Sequence, residues 1–183
     1  MRKFLESLLF LAILSLILLI FSQGKINTGK TPLVDTFSVS NNSICKSFND
    51  LPDKNCTPGE IDSRVTQENI FQTICVKGYT KTVRPPVSYT GPLKLETMKR
   101  YGYYDSAKNY EFDHLIPLEL GGNPTSIKNL WPEPYNSSDG SYQKDKVENY
   151  LNSQVCRGKI PLKVAQDEIT TDWVSVYKKI ASN

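Results

Sequence analysis

The sequence predicts an α+β fold, a small strand–loop–strand–helix core flanked by helices and stapled by disulfides. Three observations predict it. Residues 110–115 (YEFDHL) alternate as a strand does, and a Gly-rich loop, a second short strand and a helical segment follow in that order. Near the C-terminus, Leu162, Ala165, Ile169, Trp173, Val176, Tyr177 and Ile180 fall on one face of a helix. Four cysteines, Cys45, Cys56, Cys75 and Cys156, make an even count in a chain that begins like an exported one.

The beginning of the chain carries that export signal. Arg2 and Lys3 precede an uncharged apolar run over 8–21, and Ser22, Gln23 and Gly24 end it. The run is shorter than the ~20 residues of a comfortable transmembrane helix. Residues 1–23 therefore read as a signal peptide, with an uncleaved N-terminal anchor, tethered to the membrane through residues 4–21, as the alternative. Both place the remainder outside the cytoplasm: secreted, periplasmic or at the cell surface.

Residues 24–55 are rich in Ser, Asn, Thr, Lys and Pro and read as a flexible linker. One domain, 56–183, follows; the whole chain of 183 residues is too short for two. Within the domain, 65–76 suits a short helix or an extended arm. Residues 80–86 end in Arg84-Pro85-Pro86 and read as extended. Thr90-Gly91-Pro92 signals a turn, and 93–101 has helical spacing that Gly102 stops.

The first core strand is expected over 110–115 and the second over 126–131, with Pro132-Glu133-Pro134 closing it. Gly121-Gly122-Asn123-Pro124 makes the loop between them. A helix begins at Ser141 and runs to about 155, with Tyr142, Val147, Tyr150 and Leu151 as its apolar positions. Gly158 breaks it, and the last helix covers 162–180.

The cysteine spacings are too wide for the close pairs of a zinc site. Three disulfide connectivities stay open. The preferred one joins Cys45 to Cys56, closing a local loop, and Cys75 to Cys156, tying two halves together. Charge says little: without Arg2, Lys3 and Glu6, 20 basic side chains face 18 acidic ones. A protein that holds nucleic acid along a long surface is usually more basic, so any such contact should be local and its affinity should come partly from a metal.

Asp113-His114, then Pro117, Gly121-Gly122 and Asn129-Leu130, resembles the motif of the His-Asn-His (HNH, ββα-metal) endonucleases. The stretches 110–122 and 129–134 are similar to an exported bacterial family carrying this module. Thr73-Ile74-Cys75, residues 82–86 and Val155-Cys156 extend the likeness over roughly 56–178. The resemblance implies a ββα-metal core and hydrolysis of nucleic-acid phosphodiesters, DNA before RNA, with little sequence specificity.

That chemistry wants a base to activate water and a cation to steady developing charge. His114, the single histidine of the chain, suits the base. Asp113 is a hard oxygen ligand for a divalent ion, Mg²⁺ first, with Zn²⁺ and Mn²⁺ as alternatives. In a strand the two neighbours point to opposite faces. By resemblance, Asn129 braces the loop and orients the histidine.

The third motif position departs from the family, because the helix start has no histidine. Its candidate ligands are Asp145 and Glu148, with Gln143 and Asn149 behind them. Lys144, Lys146 and Arg84 are candidate phosphate contacts, and Arg84 equally suits a carboxylate partner. Glu111, two residues before Asp113, is expected to support the metal site from the same strand face. Tyr101, Tyr103 and Tyr104 suit base stacking or plain packing, and Trp131 and Trp173 read as core. No small-molecule cofactor is indicated, and the oligomeric state is not encoded. The competing expectation is a non-catalytic exported protein that keeps the fold as a scaffold.

Overall fold

A computed structural model describes residues 45–182 except Ser138, all within one packed unit. The expected signal or anchor, residues 1–23, and the linker up to residue 44 lie outside the described residues. Among the described residues no helix is long and apolar enough to cross a membrane. The elements are α1 (Tyr79–Val83), α2 (Val87–Arg100), β1 (Tyr110–His114), β2 (Leu130–Pro134), α3 (Ser141–Cys156) and α4 (Leu162–Ala181). Short 3-10 segments cover Gln67–Gln72, Ala107–Asn109 and Leu118–Leu120. This is a mixed α+β fold around one two-stranded sheet.

β1 and β2 pair antiparallel, with Glu111 opposite Glu133, Phe112 opposite Pro132 and Asp113 opposite Trp131. The second strand begins four residues later than expected, at Leu130, and contains the prolines that were read as its end. The ladder explains this. Leu115 N–H donates to the Asn129 carbonyl at 2.8 Å, so the bonded pairs alternate from there. Pro132 and Pro134 fall at the intervening positions, where no N–H is needed.

Two further turn signals give way. Thr90-Gly91-Pro92 lies inside α2, whose first turn closes through Thr90 N–H on the Pro86 carbonyl at 3.2 Å. Residues 79–83 form one helical turn, and the extended backbone begins only at Arg84, before Pro85. The 3-10 segment at Gln67–Gln72 realises the short-helix reading of 65–76.

The main core joins Val65, Ile70 and Ile74 to Ile116 and Leu120, and to the inner faces of α3 and α4. From α3 come Val147, Leu151 and Val155, and from α4 Leu162, Ala165, Ile169 and Trp173. Tyr142 and Tyr150 are exposed, against expectation. The buried stripe of α3 instead runs through Ser141, Lys144, Val147, Leu151 and Val155, so a lysine stands among apolar neighbours. α4 carries its expected stripe but breaks helical geometry at Asp172, whose carboxylate accepts the Ser175 N–H at 3.0 Å and restarts the helix.

A second cluster packs Cys45, Tyr101, Leu115 and Trp131. Residues 45–55, assigned to the linker by composition, therefore belong to the folded unit. Cys45 is buried, donates its N–H to the Arg100 carbonyl at 2.8 Å and is bonded to Cys56. The other disulfide joins Cys75 to Cys156. Both are the preferred pairs, and they indicate folding in an oxidising, extracytoplasmic environment. Trp131 and Trp173 are fully buried, and Tyr101 is core, its hydroxyl 2.8 Å from Thr57 Oγ1. Tyr103 stacks on Tyr110 at 4.6 Å, while Tyr104 is exposed.

Candidate active site

His114 ends β1 and is 4 % exposed. Its Nε2 lies 2.9 Å from the Pro124 carbonyl. A carbonyl only accepts, so Nε2 carries the hydrogen and Nδ1 keeps the lone pair. Burial lowers the His114 pKa, Asp113 and the Pro124 carbonyl oppose that, and the charges of Arg84 and Lys144 lower it further. The ring is neutral at neutral pH, as a base must be.

The residue before Pro124, whose carbonyl faces His114, is held by Asn129. Its Oδ1 accepts the Ile116 N–H at 2.9 Å, and its Nδ2 donates to the carbonyls of Ile116 at 2.9 Å and Asn123 at 3.1 Å. One buried amide thus ties both ends of the Gly-rich loop, the second next to Pro124. Asn129 is fully buried, and its bonds are to the backbone of the loop.

Gly121 and Gly122 make that bracing geometrically feasible. Gly121 adopts φ +73°, which favours glycine. A Cβ on Gly122 would stand 1.7 Å from the Ile116 carbonyl oxygen and 2.8 Å from Asn129 Nδ2.

Behind His114 lies a buried charge cluster. Lys144 Nζ donates to Asp113 Oδ2 at 2.5 Å, to the His114 carbonyl at 2.9 Å and to Glu148 Oε1. Burial works against its charge, but Asp113, Glu148 and Glu133 outweigh that and hold its pKa well above the ordinary value. Burial likewise opposes ionisation of Asp113, yet Lys144 and His114 keep its carboxyl below the usual value. Asp113 and Lys144 form the ionised pair. Burial pushes Glu148 up to about 8 even beside the ammonium.

Glu133 joins them from β2. It is 1 % exposed, and neither carboxylate oxygen has a hydrogen-bond partner. Burial, Asp113 and Glu148 push its pKa well above the ordinary value against the pull of Lys144. A proton on Glu133 gives it a donor toward the ionised Asp113. Glu111, directly opposite Glu133 in the ladder, is half-buried, and burial and Asp113 raise its pKa.

The other expected residues separate. Lys144 is fully buried and so cannot contact phosphate as it stands. Lys146 lies over the Tyr177 ring, 5.6 Å from its centre, on the α4 side. Asp145 is exposed, and burial and Asp113 raise its pKa. Arg84 is exposed, and its charge lowers the pKa values of His114, Glu119 and Asp145, so it lies within electrostatic reach of them.

The oxygens of Asp113, Glu148 and the His114 carbonyl are the kind a hard divalent ion takes. The Lys144 ammonium already sits on all three. Among the described residues no three His, Cys, Asp or Glu side chains group to hold an ion. The donor set of Asp113, Asp145 and Glu148 therefore does not fit a resident divalent metal. Glu133 and the buried role of Lys144 were missed in the sequence. The 144–147–151–155 spacing was the available signal for Lys144, while Glu133 needed the strand register.

No protein-family model matches the chain, and neither a curated protein nor a solved structure matches it significantly.

Proposed function

We propose that the chain is an exported endonuclease with a ββα core of the His-Asn-His type, hydrolysing phosphodiesters of nucleic acid, DNA before RNA. The observation that carries this reading is a neutral, buried His114 with Nε2 fixed on the Pro124 carbonyl and Nδ1 left to accept a proton. In the reaction, His114 Nδ1 takes a proton from water as the water oxygen forms the new bond to phosphorus. The bond from phosphorus to the leaving sugar oxygen breaks, and that oxygen is protonated from solvent. Arg84, within electrostatic reach of His114, contacts the phosphate. Asn129 braces the loop that carries Pro124, and Asp113 holds Lys144 against the β1 main chain. No step passes through a metal ion.

The test is plasmid cleavage by the purified protein and by His114→Ala, in Mg²⁺, Mn²⁺, Zn²⁺ and EDTA. Cleavage that vanishes with the substitution supports the reading. Absence of cleavage in every condition, or cleavage that survives the substitution, rejects it. The second reading, a scaffold without catalysis, is favoured by one observation: a lysine fills the position expected for the cation.

A further inference from the structure

We propose that the Lys144 ammonium permanently takes the place of a divalent cation, so that this site excludes Mg²⁺, Mn²⁺ and Zn²⁺ and cleavage needs none. The part concerning cleavage rests on the nuclease reading above; the exclusion of the ion does not.

An ammonium has three hydrogens to give, and all three of those on Lys144 are spoken for by Asp113 Oδ2, the His114 carbonyl and Glu148 Oε1. Those acceptors come from a β1 side chain, the β1 backbone and the next turn of α3. The lysine is fully buried on the same helical stripe as Val147, Leu151 and Val155, which holds its stem in the core. A divalent ion seeking these oxygens would press against a fixed positive charge in a low-dielectric pocket. The remaining acids, Glu111, Glu119 and Asp145, do not converge as an alternative set. Lys144 thus acts as a positioning residue: it pins the Asp113 carboxylate and the main chain of His114 as a bound ion would.

The test follows Mn²⁺ binding by the paramagnetic resonance of the free ion, with melting curves in EDTA and in Mn²⁺ or Zn²⁺. The wild-type protein is expected to bind no Mn²⁺ beyond Asp113→Asn, to melt at one temperature in both buffers and to cleave as fast in EDTA. Lys144→His removes the ammonium and supplies a metal ligand in its place. It is expected to gain saturable binding and a rise in melting temperature of about 5 °C or more with ion. Saturable binding by the wild type that Asp113→Asn abolishes overturns the proposal, as does cleavage lost in EDTA and restored by an ion. If no variant cleaves at all, the nuclease reading falls, while the wild-type Mn²⁺ titration still decides the exclusion. That titration also decides it should Lys144→His fail to fold.

Discussion

A Cβ on Gly122 would stand 2.8 Å from the amide nitrogen of Asn129 and 1.7 Å from the carbonyl oxygen that this amide binds. The glycine and the asparagine are one device. The loop can be tied at both ends by a single side chain because its middle has none. Gly122→Ala is therefore expected to cost about 3 kcal/mol or more, since backbone must move to relieve the clash. Urea unfolding monitored by tryptophan fluorescence measures it, and a loss within error would show that the loop is not held this way.

Asn129→Ala leaves the Ile116 N–H and the carbonyls of Ile116 and Asn123 without this partner. Unpaired buried groups cost about 1–3 kcal/mol each, so roughly 3 kcal/mol in total is expected because the losses are not additive. The Asn123 end of the loop, next to the Pro124 that faces His114, loses its anchor at the same time. Turnover should fall further than substrate affinity, which a KM-against-kcat comparison at low temperature resolves.

Glu133 gives a pH dependence of known sign. Its pKa is raised in the folded state, so the folded protein keeps a proton that the unfolded chain releases above the ordinary glutamate value. Stability then falls as pH rises through that window. Glu133→Gln removes this contribution. The variant should be more stable than the parent in mildly alkaline buffer, and the two should converge in acid. A profile as steep in the variant as in the parent would assign the slope elsewhere.

The disulfides should differ in value. Cys75 and Cys156 are 81 residues apart, Cys45 and Cys56 only 11. Loop closure alone assigns about 4–5 kcal/mol to the first and about 3 kcal/mol to the second. Paired Cys→Ala variants compared in urea test the order.

Much of this was legible where one physical pattern dominates. Alternation marked β1, and a long apolar stripe marked α4. The order Asp113-His114, Gly121-Gly122, Asn129 brought together the histidine and its brace. Elsewhere local rules met tertiary ones. Proline was read as ending β2, yet Pro132 and Pro134 occupy rungs that need no N–H. Thr90-Gly91-Pro92 reads as a turn locally but is absorbed into α2. Lys144 looked like a phosphate contact because it opens a helix. Its place in the 144–147–151–155 stripe assigns it to the interior instead. Glu133 became visible only once the ladder set it opposite Glu111, beside Asp113.

The most direct test of the central claim is the pH dependence of cleavage of a labelled oligonucleotide under single-turnover conditions, in wild type and His114→Ala. A base of lowered pKa predicts a rate that rises with pH through an apparent pKa below the ordinary imidazole value and then levels, with the limb and the activity lost in the variant. A rate indifferent to pH across that range, or the same limb in His114→Ala, would contradict His114 as the base.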